Sequence, residues 1–232
     1  MVRKSKRMQE IQKNFEASKN YGLTEAVEIL KSCPATKFDQ SIDVSIKLGV
    51  DPRKSDQQVR GTVSLPHGTG KKISVLVLAN GDKVQEAKDA GADFAGGEDL
   101  IKKIKDGWLD FDTVIATPDM MREVGKLGKV LGPRGLMPSP KGGTVTMDVS
   151  KAVKEIKAGK IEFKFDRQGV INIAIGKVSF EADSIVENIN TVLRAIWKAK
   201  PAALKGIYIR SMVVSSTMGP GVKIEARDVQ AN

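Results

Sequence analysis

The side chains that could carry out catalysis are few and lie apart in the sequence. The single histidine, His67, sits between a proline and a glycine, and no nucleophile motif adjoins it. The single cysteine, Cys33, ends an apolar helical stretch, as a small buried hydrophobe would. Because a hydrolase needs a nucleophile, a base and an orienting group within reach of one another, we expect no active site. One cysteine also excludes an internal disulfide and a cysteine-based zinc site, so we expect no metal and a reducing, cytoplasmic setting.

Residues 68–72, Gly-Thr-Gly-Lys-Lys, are similar to the end of a phosphate-binding loop. A complete loop needs a glycine five residues before Gly70, where this chain has Leu65. It also needs a strand before it and a helix after it, whereas here an apolar strand pattern follows. A turn is the better interpretation, and we expect neither a nucleotide cofactor nor a small-molecule substrate.

Two segments rich in glycine and proline have the composition of nucleic-acid contacts. In residues 128–143, glycines would let the backbone approach phosphates, and Lys129, Arg134 and Lys141 supply positive charge. In residues 215–221, Thr217 offers a hydroxyl to a sugar or base edge, and Met218 a soft apolar surface. Spacing alone favours plainer interpretations: a structured loop with solvated cations for the first segment, and a hairpin loop for the second.

The elements that position these segments are of two kinds. Alternation of apolar and polar residues marks strands with one buried face, as in the antiparallel sheet of a two-layer domain. One long helix is indicated by an apolar stripe over residues 185–196, with Ser184 and Glu187 spaced as a capping box. The alternating strands are residues 42–50, 161–165, 171–175 and 222–224.

The middle of the chain has a different pattern. Residues 73–79 and 114–116 are nearly continuous apolar runs, and helical stretches follow them at 82–90, 98–106 and 118–127. Strands buried on both faces that alternate with helices indicate a parallel, Rossmann-like sheet. We therefore predict an α+β two-layer domain interrupted by an inserted α/β domain. Because the longest apolar run is too short to span a bilayer, we expect no membrane partner.

Proline and glycine mark where the chain enters and leaves the inserted domain. They are Pro66 and Gly68 on entry and Gly159 on exit, and they predict a hinge. Domain I then comprises residues 1–67 and 160–232, with 23 basic and 15 acidic side chains, and domain II comprises residues 68–159, with 15 and 13. Because bound Lys and Arg release counterions from phosphates, domain I is the better candidate for binding a polyanion such as RNA.

At the two glycine-proline segments the chain closely resembles the bacterial ribosomal protein L-one family, the proteins of the mobile lateral stalk of the large subunit. The similarity covers essentially the full length, and several long motifs occur in the same order. The matching segments are residues 37–39, 47–54, 60–68, 106–108, 117–119, 132–138 and 217–220.

The resemblance implies two domains joined by a hinge, with domain I binding large-subunit ribosomal RNA. A Thr-Met-Gly motif contacts RNA in the family, and a Lys-Phe pair matches a second contact region. The chain departs from the family at Asn172, where many members have a histidine. The RNA-binding residues implied by the resemblance are Thr217, Met218, Gly219, Lys37, Phe38, Ser211, Lys164 and Arg167.

The resemblance also implies two further RNA partners for a protein that is monomeric when free. The first is the protein's own messenger RNA, whose binding would repress translation. The second is exit-site transfer RNA, for which Lys129, Arg134 and Lys141 are candidate contacts. Two other classes remain as alternatives: a nonspecific basic RNA-binding protein, and an α/β enzyme that binds nucleotides. The first would bind scrambled RNA almost as well, and the second would bind free nucleotides.

Overall fold

The chain divides into two compact units. Unit 1 consists of Met1–Gly70 and Glu162–Asn232, and unit 2 of Lys71–Ile161. A computed structural model describes residues 6–16, 18–34, 36–52, 54–202, 204 and 206–225. The expected domain boundaries differ from the limits of these units by two or three residues, and the domain assignment stays a prediction.

Helices and strands are interspersed along the whole described chain. The helices are α1 (Lys6–Asn14), α2 (Leu23–Ser32), α3 (Asp82–Asp89), α4 (Glu98–Lys105), α5 (Met121–Gly125), α6 (Gly128–Leu131), α7 (Val149–Lys157) and α8 (Ala182–Lys198). The strands are β1 (Asn20–Tyr21), β2 (Ser41–Leu48), β3 (Arg60–Ser64), β4 (Val75–Leu78), β5 (Phe94–Gly96), β6 (Thr113–Ala116), β7 (Lys160–Lys164), β8 (Val170–Lys177), β9 (Ile209–Ser216) and β10 (Gly221–Ile224).

Unit 1 is built on a five-stranded sheet of order β1-β10-β9-β2-β8. Strands β2, β8, β9 and β10 pair antiparallel, as expected from their alternating sequences, and β1 pairs parallel with β10. Helices α2 and α8 pack against the sheet and against each other. Every second residue of β2 is buried, from Ile42 to Leu48, so one face of the sheet forms the core with the helices and the other stays open.

Unit 2 is built on a parallel three-stranded sheet of order β5-β4-β6. All four residues of β4 are fully buried. Leu76 and Leu78 belong to one apolar cluster, with residues of α4, α5 and α6, whereas Val75 and Val77 belong to another, with residues of α3 and α7. Helices therefore cover both faces of β4, which explains why its sequence is continuously apolar. The prediction of a mixed α and β fold with several sheets is confirmed.

Two local predictions are wrong. The helix expected over residues 118–127 is instead a 3₁₀ turn at Pro118–Met120 followed by the short helices α5 and α6, and glycines lie at the break, where they weaken a helix. Helix α8 begins at Ala182, with Glu181 at the N-cap position and no side-chain cap. Ser184 therefore lies inside the helix, and Glu187 contacts the His67 ring instead, at 2.7 Å.

Candidate nucleic-acid interface

The turn between β9 and β10 is fastened to the start of β2. The Thr217 amide donates to the Ser41 carbonyl (3.0 Å), the Ser41 amide donates to the Thr217 hydroxyl oxygen (3.1 Å), and that hydroxyl donates back to the Ser41 carbonyl (3.3 Å). The Met218 amide donates to the side-chain oxygen of buried Gln40 (2.9 Å). The Thr217 hydroxyl is exposed and keeps a lone pair, so it can accept one more hydrogen bond from a ligand without moving.

Gly219 lies against the side chain of Ser216 within this turn. A Cβ atom at Gly219 would lie 2.1 Å from the Ser216 hydroxyl oxygen, so the hydroxyl would have to rotate to make space. Ser216 is itself 4% exposed, and its hydroxyl has no hydrogen-bond partner in the structure. The Gly219 amide closes the turn by donating to the Ser216 carbonyl (3.0 Å). This backbone hydrogen bond holds the turn closed while Thr217 and Met218 stay exposed.

Lys37 and Phe38 lie three and two residues before Gln40, which with Ser41 holds the turn. The Thr36 hydroxyl donates to the Phe38 carbonyl (2.6 Å), which fixes the segment. Phe38 is 53% exposed and Met218 54% exposed, although apolar side chains of this size are usually buried. The structure thus brings Thr217, Met218, Gly219, Lys37 and Phe38 together, and we call this group the turn end.

The face of the sheet turned away from α2 and α8 begins at the turn end, and we call it the open face. Its residues are in register across the strands, so they share one surface. In one row, Asp43 of β2 lies opposite Ser215 of β9, and in the next row Ser45 lies opposite Val213. The open face consists of Asp43, Ser45, Lys47, Val170, Asn172, Ala174, Ser211, Val213, Ser215, Gly221 and Lys223.

Small polar side chains give the open face its chemical character. The Ser45 hydroxyl donates to the Asn172 side-chain oxygen (2.7 Å), and this leaves the Asn172 amide group free to donate outward. Burial raises the pKa of the Asp43 carboxyl, the one acid on this face. Sequence analysis did not identify Asp43, Ser45 or Ser215. The alternation of β2 shows that the first two face outward, but not that β9 lies beside them.

Ser211, Lys164 and Arg167 lie at the other end of the open face. Ser211 pairs with Lys47, which pairs on its other side with Val170, directly after the turn that contains Arg167. Ser211 lies six positions before Thr217 along extended backbone, a distance of about 20 Å. The predicted RNA-binding residues therefore form two groups, at opposite ends of one surface.

Lys129, Arg134 and Lys141 all belong to unit 2, but the loop expected over residues 128–143 begins with a helix. Lys129 lies in α6, and Arg134 and Lys141 lie in the ordered loop that follows it. The Ser139 amide donates to the Thr144 hydroxyl (2.8 Å), and the Leu136 amide donates to the Leu131 carbonyl (3.0 Å). The three basic residues are all exposed. This geometry leaves all three basic side chains accessible to an anion.

Comparison with known sequences settles the family. The sequence model of the Ribosomal protein L1p/L10e family matches residues 29–220, most of the chain. The chain belongs to the ribosomal protein L1p/L10e family. It is similar to three proteins named "Large ribosomal subunit protein uL1". That of Protochlamydia amoebophila (strain UWE25) is 64% identical over 228 residues, which cover 98% of this chain and 97% of that protein. That of Chlamydia pneumoniae is 60% identical over 232 residues and 100% of both chains, and that of Kosmotoga olearia is 56% identical over 229 residues and 99% of both.

Membership of the L1p/L10e family places the chain among ribosomal proteins and not among enzymes, as expected. Within the described ranges, no group of three or more His, Cys, Asp or Glu side chains could hold a metal ion. Among those same residues, no helix is long and apolar enough to cross a membrane.

The predicted hinge residues of this L1p/L10e-family protein lie in two different settings. Pro66 and Gly68 form a turn held on unit 1 by Asn188, a fully buried residue of α8. The Asn188 side-chain oxygen accepts from the His67 amide (3.2 Å), and its nitrogen donates to the Gly68 carbonyl (3.1 Å) and to Ile175 of β8 (2.9 Å). Gly159 ends α7 with φ +105°, a conformation that favours glycine. The turn at 66–68 is thus tied to unit 1, and its role in domain motion stays a prediction.

Proposed function

We propose that this protein is a structural component of the large ribosomal subunit and binds large-subunit ribosomal RNA through the open face and the turn end. The observation that carries the proposal is the turn end itself. It is a rigid turn with an outward hydroxyl, flanked by an exposed Met218 and an exposed Phe38. Exposed apolar side chains beside a surface of small hydroxyl and amide groups suit unstacked bases and 2′-hydroxyls. The names of the relatives support the subunit assignment.

Charge supports the same surface. Residues 1–67 and 160–232 together carry eight more basic than acidic side chains, against two more for residues 68–159. An excess of positive charge raises affinity for any phosphate backbone, whereas the hydroxyl and amide groups of the open face can read structure. We therefore propose specific recognition supported by general electrostatic attraction.

The test is binding to a short lateral-stalk ribosomal RNA fragment and to a scrambled fragment, at two salt concentrations. A preference for the stalk fragment that survives at the higher salt supports recognition of RNA structure. Equal binding that collapses with salt leaves only a nonspecific basic surface.

Replacing Thr217 tests the turn end directly. Thr217→Ala removes the hydroxyl and is expected to cost roughly 1–3 kcal/mol of binding free energy, with Thr217→Ser restoring most of it. Thr191→Ala is the matched control, because Thr191 lies on α8, behind the sheet, and its hydroxyl donates only to the Glu187 carbonyl within its own helix. If Thr217→Ala binds as tightly as Thr191→Ala, the turn end does not contact RNA.

We further propose that the same surface binds a similar structure in the protein's own messenger RNA and so represses translation. Competition between that messenger RNA and the ribosomal fragment for one site tests this, and simultaneous binding of both would contradict it.

The location proposed for the protein is the ribosome in the cytoplasm. There the inserted α/β domain would move about Pro66, Gly68 and Gly159 as deacylated transfer RNA leaves the exit site.

The transfer RNA contact would be made by Lys129, Arg134 and Lys141, which are exposed on α6 and on the ordered loop that follows it. Their joint replacement by alanine is expected to weaken transfer RNA binding and leave the stalk fragment bound as before.

A further inference from the structure

A small cavity lined by both charged and apolar residues lies where the chain leaves β7 and approaches β8. Its volume is about 220 Å³, and its lining includes Arg60, Lys164, Asp166 and Arg167. Since one water occupies about 30 Å³ of liquid, the cavity has space for a phosphate group and several waters. The Phe165 amide donates to the Val59 carbonyl (3.4 Å), which joins the two sides of the cavity.

The cavity carries an excess of positive charge. Arg60, Lys164 and Arg167 are exposed, and within the described part of the chain the structure shows no ion pair for any of them. Among the described lining residues the one acid is Asp166, which uses a carboxylate oxygen to accept the amides of Gln168 (2.7 Å) and Val170 (3.0 Å) within its own turn. Among these residues, three cations therefore accompany one carboxylate that is already hydrogen-bonded, which is an arrangement that suits an anion.

The position of the cavity connects it to the open face. The turn formed by Asp166 leads directly into Val170, which pairs with Lys47, and Lys47 pairs with Ser211. The backbone of an RNA strand that runs from the turn end to Ser211 would reach the cavity. Among the described lining residues, Gln58 supplies one side-chain amide, whereas Arg60, Lys164 and Arg167 supply three positive charges, so the chemistry of the cavity suits a phosphate better than a base.

We propose that Arg60, Lys164 and Arg167 hold one phosphodiester group of the bound RNA, with the Arg60 guanidinium as the principal contact. This proposal rests on the proposed function, since it assumes RNA on the open face. Arg60 lies on β3, so its backbone is fixed by pairing with β7, and its planar guanidinium can contact two phosphate oxygens at once. The cavity fixes the position of the RNA along the sheet, and the turn end recognises its structure.

The first experiment measures the affinity of Arg60→Ala for the stalk fragment over a range of salt. Loss of one phosphate contact is expected to weaken binding roughly tenfold and to reduce the slope of log affinity against log salt by about 0.7–0.9. Arg60→Lys keeps the charge and is expected to recover most of the slope but not all of the affinity. Arg194→Ala is the matched control, because Arg194 is exposed on α8, behind the sheet.

The second experiment identifies the phosphate. Single methylphosphonate substitutions, which remove one backbone charge each, are introduced along the stalk fragment. One linkage is expected to weaken binding to the parent protein yet have no further effect on Arg60→Ala, since both changes remove the same contact. If every linkage has the same effect on both proteins, Arg60 holds no phosphate and the proposal is wrong.

These outcomes separate the two proposals. Suppose that the parent protein prefers the stalk fragment, but that Arg60→Ala and Arg194→Ala have the same affinity and the same salt slope. Then the phosphate-binding role of the cavity is wrong and the proposed function stands. If the parent protein has no preference for the stalk fragment, the proposed function is wrong, and so is the phosphate-binding role of the cavity.

Discussion

Replacing Asn188 by alanine should destabilise unit 1 strongly. Asn188 is fully buried, and its side chain makes three hydrogen bonds that join α8, β8 and the turn at Pro66–Gly68. Truncation leaves the Ile175 carbonyl unpaired in the core, at about 1–3 kcal/mol. The His67 amide and Gly68 carbonyl are only partly buried, so water can reach them and their loss costs less. We expect a total of roughly 2–4 kcal/mol in the free energy of unfolding.

Urea unfolding followed by tryptophan fluorescence measures this change. Because Trp108 lies in unit 2 and Trp197 in α8 of unit 1, a Trp108→Phe background makes the signal report unit 1. Asn188→Ala is expected to lower the urea midpoint by about 1–2 M. Asn172→Ala is the matched control, since that residue is exposed and makes one side-chain hydrogen bond, to Ser45, so its cost should be about 0.5 kcal/mol or less. A shift for Asn188→Ala no larger than that of the control would refute the reasoning.

Two further predictions concern stability. Gly49→Ala should destabilise unit 1 by roughly 2–3 kcal/mol, because its Cβ would lie 2.1 Å from the Ile207 carbonyl oxygen, a backbone atom that cannot rotate away; urea unfolding measures it. The pKa of Asp93 is lowered, chiefly by a hydrogen bond from the Val75 amide and also by Lys157. Its stabilising effect is therefore present above the unfolded-state pKa near 3.8 and lost as pH falls through the lower folded-state value. Asp93→Asn should flatten this acid loss in unfolding midpoints measured from pH 6 to pH 3.

Each of these two predictions has an internal comparison. Gly125→Ala introduces a Cβ that meets nothing within 4 Å, at a helix end, so it should leave stability unchanged or slightly raised; an equal loss at both glycines would rule out the steric explanation. The pKa shift of Asp43 is opposite to that of Asp93, because burial raises the pKa of Asp43. The contribution of the Asp43 carboxyl to stability is therefore lost as pH rises. Asp43→Asn should therefore stabilise unit 1 near neutral pH. If the unfolding midpoints of Asp43→Asn and Asp93→Asn changed with pH in the same way, the assigned causes would be contradicted.

The sequence was informative where periodicity reflects burial. The strict alternation of residues 42–50 corresponds to β2, whose alternate residues are buried, and the continuous apolar run before residue 79 corresponds to β4, buried on both sides. It was uninformative where geometry depends on pairing between distant residues. Nothing local to Thr217 shows that its hydroxyl meets Ser41, 176 positions away, or that Asn188 holds the turn at 66–68. The misplaced start of α8 has the same origin, because the capping pattern at Ser184 is a local signal and Glu187 is engaged by His67 instead.

The site residues divide in the same way. Thr217, Met218, Gly219, Lys37 and Phe38 were identified by resemblance, and the structure places them on two neighbouring segments, joined through Gln40 and Ser41. Their separation from Ser211, Lys164 and Arg167 follows from the register of β9 on β2, which no sequence pattern reveals.

The strand order of unit 1 has a consequence for the timing of synthesis. In the sheet, β9 lies between β2 and β10, yet it occupies residues 209–216 and so follows all of unit 2 and β8 in the chain. Unit 2 and the β2–β8 pair can therefore form before β9 has been synthesised, whereas the open face and the turn end cannot. During synthesis the two units would thus become able to fold at different times, unit 2 first.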